Sequence, residues 1–152
     1  MKKDAIEKAR NDAHKMLKDA GVVLGKDEEI EITDFGKDDY ARVGLGLIIR
    51  VNEPEYGSQW LTVMPGQVCP NHYHKVVKET FIIIKGDVKM WVNNEAIDMK
   101  VGDKLTMPPG TWHKFTSKEG SVIEEITSPK VEDADSFFED EDIERYVTVE
   151  ED

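Results

Sequence analysis

Apolar residues recur along this chain with two different periods, and the switch between them marks its architecture. Between Lys2 and Ala20, residues Ala5, Ile6, Ala9, Ala13, Met16, Leu17 and Ala20 return at intervals of three and four, which is the repeat of one helix face. Gly21 follows as a stop signal. Beyond residue 30 the period is two. "EIEITDF" alternates, and in "RVGLGLIIRVN" the side chains of Val43, Leu45, Leu47, Ile49 and Val51 share one face. Gly44 and Gly46 fall on the other face and leave room for a close neighbour. Further strands are predicted at Trp60–Met64, Thr80–Lys85, Val88–Val92, Ala96–Val101, Lys104–Met107, Trp112–Thr116 and Ser121–Thr127, separated by the turn signals "PG", "KGD", "NNE", "VGD", "PPG" and "KEG". Many short strands behind one helix predict an all-β sandwich or barrel. "FIIIK" is apolar on both faces, so another sheet or another subunit is expected to cover it on each side.

Size and charge refine this picture. A chain of 152 residues suffices for one domain with a full core. The division expected is a helical arm over residues 1–21, a barrel over 22–131 and an acidic segment over 132–152, partly packed on the barrel. That last segment carries eleven acidic residues and one basic residue, Arg145, and so accounts for most of the net charge of −12. Its "DSFF" and "ERYV" patches are its apolar anchors. Such a field repels phosphate backbones and argues against a nucleic-acid partner. The single cysteine, Cys69, excludes an internal disulfide framework. No apolar stretch approaches a membrane span or a secretory leader, so no membrane partner is expected, and the expected location is the cytoplasm.

The chemistry concentrates in "GQVCPNHYHKVVKETFIIIKG", Gly66 to Gly86. His72 and His74 lie two apart, so both point to one face of a strand. Glu79 is five from His74, and an odd spacing would put it on the opposite face of a continuous strand. The chain must therefore turn within "KVVK". His113 arrives from a further strand behind "MPPG". Three imidazoles and a carboxylate from three strands can meet only inside a rolled sheet, and that donor set suits Mn, Fe, Co, Ni or Zn. Trp60, Trp91 and Trp112 are candidates for stacking on a ligand. Lys89 and Trp91 share a pleat face, so one register places both in the lumen. Cys69 reads as a packed strand residue.

The glycines and ligands fall in a familiar frame. Gly66, five residues, His72-x-His74, four residues, Glu79, six residues and Gly86 resemble the first motif of the cupin superfamily. Gly102, five residues, Pro108-x-Gly110, two residues and His113 resemble the second. The second motif usually ends in asparagine where this chain has Ser117. The order of an amphipathic helix, "TDFG", "GLGLIIRVN", the His/Glu motif, "GSVIEEITS" and an acidic "DSFFEDEDIERY" tail is further similar to the D-lyxose isomerase family of cupins. That resemblance implies a double-stranded β-helix, or jelly roll, and a divalent metal, usually Mn2+, held by His72, His74, Glu79 and His113. It also implies Glu125 in "IEEITS" as catalytic glutamate. The family's lysine, two positions before the ligand glutamate, is displaced here: that place is Val77, and Lys78 and Lys75 are the candidates.

The expected activity is aldose–ketose isomerisation of free sugars, D-lyxose with D-xylulose and D-mannose with D-fructose, with Glu125 and Lys78 as catalytic residues. Lys75, Lys89, Trp91 and Trp60 are the candidates for sugar contact, and a homodimer is the expected assembly. Two other readings share the ligand set: an Fe(II) dioxygenase and a non-catalytic sugar-binding cupin.

Overall fold

The helical repeat folds as α1, Lys3–Asp19, in the computed structural model, which describes residues 1–151. Its buried face consists of Ile6, Ala9, Ala13 and Leu17. These meet Ile30, Ile32, Ile48 and Val122, with Trp60 and Ile84 beside them, on the outside of a sheet. Gly46 is the close-approach point predicted from the sequence. A Cβ there would lie 2.2 Å from Thr62 Oγ1 and 3.3 Å from Ala13 Cβ, so its lack of a side chain makes room for Thr62 and α1. Among the described residues, no helix is long and apolar enough to cross a membrane.

The period-two region forms β1 (Glu31–Thr33), β2 (Leu45–Glu53), β3 (Tyr56–Val63), β4 (Val68–Tyr73), β5 (Lys78–Val92), β6 (Glu95–Lys100), β7 (Lys104–Met107), β8 (His113–Thr116), β9 (Ser121–Ser128) and β10 (Phe137–Phe138). The pairing order is β1-β2-β3-β9-β5-β8-β4-β10, with β6 and β7 also paired to β5. All of these pairings are antiparallel.

One difference from the sequence reading determines the architecture. "KGD" is not a turn between two strands. Thr80–Lys85 and Val88–Val92 are halves of one fifteen-residue strand, β5. Its first half pairs with β7 and β9, its second with β6 and β8. The strand therefore serves two faces of a roll and bends between them at Gly86, where φ is +81°. The Asp87 carboxylate staples this corner. It accepts the Lys118 and Glu119 N–H groups at 2.9 and 2.8 Å and the Ser117 hydroxyl at 3.2 Å. Ser117, the departure from the usual cupin asparagine, thus has a bonded place in the β8–β9 turn.

Inside the roll, Phe81, Ile83, Met90, Phe115 and Ile123 are all but inaccessible. Each contributes roughly 1.5–3 kcal/mol of apolar burial. The opposite face of "FIIIK" is partly covered from within the chain: Ile84 packs under α1, and Ile82 is half-buried. The expected cover by a second sheet or subunit is thus supplied in part by the helix. The acidic segment is woven onto the barrel. Phe137 and Phe138 pair with Tyr73 and His72. Further along, Arg145 makes a bidentate ion pair with Glu31, and the Glu144 N–H bonds the Phe35 carbonyl at 3.0 Å.

Gly86→Ala tests the corner. A Cβ there would sit 1.9 Å from the Gly120 carbonyl oxygen, on a backbone already in the left-handed region. The expected loss of stability exceeds about 2 kcal/mol, read as a fall in the urea midpoint at unchanged slope; Gly102→Ala, with nothing within 4 Å, should lose less.

Candidate active site

The pleat positions three imidazoles at one end of the roll. His72 on β4 and His113 on β8 are cross-strand partners. His74 follows two residues after His72, at the end of β4. The chain then turns through Lys75–Val77, and Glu79 enters β5 on its inward face, in line with Phe81 and Ile83. Burial is nearly complete: His72, His74, Glu79, His113 and Glu125 are 9, 5, 4, 1 and 5% exposed.

The hydrogen bonds orient the rings. His72 Nδ1 bonds the Pro70 carbonyl at 2.7 Å, His74 Nδ1 the Asp135 carbonyl at 2.8 Å, and His113 Nδ1 the Thr111 carbonyl at 3.0 Å. A carbonyl only accepts, so each Nδ1 carries the proton and each Nε2 presents a lone pair. The donor nitrogens lie within 4.8 Å of one another. Glu79 Oε1 is 3.4 Å from both His74 Nε2 and His113 Nε2. Donors about 2.1 Å from a common cation stand about 3.0–3.4 Å apart, which is the spacing of Glu79 from His74 and His113. His113 Nε2 is buried without a hydrogen-bond partner, an orphan whose lone pair a cation would satisfy. The residues fit a borderline divalent metal.

Charge at the site is set by burial. His72 is held well below the ordinary imidazole value by burial and by its two neighbouring imidazoles, and His113 is pushed down to about 4. Burial, with the charge of Glu125 beside it, raises Glu79 well above the carboxylate range. Glu125 is raised to about 7 by burial, against the opposing pull of hydrogen bonds from Gln59 and Glu79 and of the Arg145 charge. Both are buried and the charge of Glu125 raises Glu79, so in the cation-free site burial and repulsion favour retention of a proton by the pair. Gln59, the register partner of Glu125 across β3–β9, donates to its Oε1 at 2.5 Å. Burial also raises the Cys69 thiol, consistent with a packed residue rather than a nucleophile.

A cavity of about 110 Å³ opens beside this cluster. His72, His74, Glu125 and Gln59 stand at one end, Leu45, Leu47, Leu61 and Phe115 along the wall, and Asp133, Ser136, Phe138 and Arg145 come from the C-terminal segment. The other sequence candidates lie elsewhere. Lys78 is exposed because strand alternation sends it outward when Glu79 points in. Lys75 is exposed, with its ammonium 4.4 Å over the Phe137 ring. Lys89 and Trp91 are on the outer face of β5, where Trp91 is flanked by the Lys89 and Lys114 ammonium groups. Trp60 packs beneath α1, and Trp112 lies against Tyr73. The expectation that Lys78, Lys75, Lys89, Trp91 or Trp60 lines the site is therefore corrected: all five face outward or cover other surfaces. Sequence reasoning missed Gln59, Asp135 and Arg145. Gln59 was findable as the strand partner of Glu125, and Arg145 as the lone base in the acidic segment.

Comparison with known proteins bears on this geometry. The cupin domain family profile matches residues 59–124. The D-lyxose ketol-isomerase of Cohnella laeviribosi is 30% identical over 172 residues, covering 93% of this chain and 94% of that protein. The chain belongs to the D-lyxose ketol-isomerase family of cupins. A D-lyxose/D-mannose isomerase of Thermosediminibacter oceani agrees, at 28% identity over 90% of this chain and 92% of that protein. Among solved structures, an L-ribose isomerase of Acinetobacter sp. DL28 superimposes with a TM-score of 0.88 at 12% identity, covering 99% of this chain and 98% of that one; that likeness shows the shared fold. The D-lyxose ketol-isomerase family is one of sugar isomerases, and this chain is one of them.

The retained proton yields a pH prediction. A cation taken up by the site must displace it, whereas His113 protonates only near 4. Divalent-cation affinity should therefore fall about tenfold per pH unit from pH 7 to 5.5, with protons released on binding. Calorimetry in buffers of different ionisation enthalpy measures both, and an affinity flat across that range would contradict the retained proton.

Proposed function

We propose that this protein is a divalent-metal-dependent aldose–ketose isomerase of free sugars, with D-lyxose and D-mannose as its aldoses and Glu125 as the group that moves the proton. The observation that carries the reading is the placement of the Glu125 carboxyl: buried beside Glu79, facing the same small cavity as His72 and His74.

His72, His74, Glu79 and His113 would hold the cation, Mn2+ being the metal proposed. When bound, it would supply a Lewis acid that polarises a sugar carbonyl and steadies charge on the developing enediolate. The remaining steps belong to the chain. Glu125, a buried carboxyl facing the cavity, would take a proton from the carbon next to the carbonyl. It returns that proton to the neighbouring carbon while the hydroxyl proton passes from the one sugar oxygen to the other, a contribution of about 10²–10⁴-fold. Gln59 keeps the carboxyl aimed into the cavity by donating to Oε1. Arg145, Asp133 and Ser136 line the part of the cavity formed by the C-terminal segment and offer hydrogen bonds to sugar hydroxyls. The apolar wall of Leu45, Leu47, Leu61 and Phe115 limits water around the reacting carbons. The cavity is far smaller than the roughly 300–1,000 Å³ that drug-sized ligands occupy, which favours a small substrate. The Arg145 guanidinium is already committed to Glu31, leaving little to attract a phosphate, so free sugars are favoured. A homodimer is the proposed assembly.

Glu125→Gln should reduce turnover by two to four orders of magnitude while leaving cation binding within a few-fold of wild type. Ketose formation from D-lyxose and D-mannose by the Mn2+-loaded protein is the measurement. No ketose from either sugar, with metal verified in the protein, would defeat the proposal.

A further inference from the structure

The three imidazoles at the site are not oriented in the same way. His72 and His113 send Nδ1 to carbonyls two residues back in the chain, those of Pro70 and Thr111. His74 has no such local partner. Its Nδ1 bonds the carbonyl of Asp135, 61 residues away, at 2.8 Å. The Asp135 side chain then grips the chain just beyond the ring: Oδ1 accepts the Lys75 N–H at 2.8 Å and Oδ2 the Val76 N–H at 3.1 Å. The Ser136 hydroxyl is 3.3 Å from the same Nδ1. One residue of the C-terminal segment thus fixes both the tautomer of His74 and the turn that leads from it to Glu79. The same segment supplies Asp133, Ser136, Phe138 and Arg145 to the cavity.

We propose that Asp135 is a positioning residue that couples docking of the C-terminal segment to cation binding at the histidine cluster. The physical basis is linkage. If the docked segment presents His74 Nε2 to the cation, the cation binds the docked form more tightly. It must then hold the segment down by the same factor. Outer hydrogen bonds to metal-bound histidines commonly contribute 10–100-fold in affinity, and here the donor ring and its flanking backbone both depend on one residue. The proposal rests on the reading that His72, His74, Glu79 and His113 hold a divalent cation.

Two measurements on the whole chain test it. Mn2+ dissociation constants are read from the electron paramagnetic resonance of free Mn2+. Asp135→Ala keeps the main-chain carbonyl that His74 bonds but removes both acceptors of the Lys75 and Val76 amides. With the turn and the segment released, it should weaken binding about tenfold, and Asp135→Asn, which keeps an acceptor oxygen for one of the two amides, should recover part of the loss. Lys15→Ala, which removes an ion pair within α1 and away from the segment, should bind as wild type. Binding by Asp135→Ala within twofold of wild type overturns the coupling while leaving the metal site standing; failure of the wild-type protein to bind any divalent cation overturns the metal site itself. The second measurement needs no variant. A glutamate-specific protease should cleave the segment at Glu132, Glu139 or Glu144 at least fivefold more slowly with saturating Mn2+. Cleavage at Glu95, in the β5–β6 hairpin, should be little affected. Equal protection at both places, or none in the segment, overturns the proposal.

Discussion

The roll can close only because one strand belongs to both of its faces. β5 leaves the β7–β9 side and enters the β6–β8 side without interruption, and the backbone that makes the passage possible is the left-handed bend at Gly86 beneath the Gly120 carbonyl. Everything at the site is measured from that strand. Its first inward residue is Glu79. Two residues later Phe81 closes the floor under the ligand cluster. Its far half carries β8, and with it His113, against His72 on β4. Move the bend by one residue and the parity of every later position inverts, sending Met90 outward and Lys89 inward.

The interior so formed is not a uniform hydrophobic core. Its lower part is well filled with apolar side chains, while its upper part gathers three imidazoles and two carboxyls, all buried. Burying two carboxyls together is costly, and the protein resolves the cost in one of two ways: by retaining a proton between Glu79 and Glu125, or by neutralising them with a cation. The imidazoles are biased toward the second. Their Nδ1 protons are already committed to carbonyls, so their Nε2 lone pairs face the cluster with no internal donor to satisfy them. Stability sacrificed in this region is what chemistry at the site requires.

Much of this was legible in the chain. Alternation located the strands, the two-residue spacing put His72 and His74 on one face, and the odd interval to Glu79 required the turn that exists at Lys75–Val77. The same parity argument misled where it lacked an anchor. "KGD" has the composition of a turn, yet Gly86 serves there as a bend within a continuous ladder, and only the pairing partners on either side distinguish the two. Trp91 and Lys89 shared a face as expected, but nothing in the sequence said which face was inside. Lys78 was drawn to the site by proximity in sequence, although its neighbour Glu79 had already taken the inward position. The C-terminal segment reads as acidic charge held by the anchors "DSFF" and "ERYV", which contain Phe138 and Arg145, whereas the two-point grip of Asp135 is a tertiary contact that no local pattern announces.

The near-total burial of Glu125, 5% exposed behind an apolar wall, has a consequence for where a substrate hydrogen goes. On the proposed reading, a proton lifted from one carbon sits on a carboxyl with little access to bulk solvent. It is therefore delivered to the adjacent carbon more often than it is exchanged away. An isotopic label at the first carbon would in large part follow the hydrogen to the second instead of washing out into water, so the depth of this one side chain sets the internal bookkeeping of the reaction.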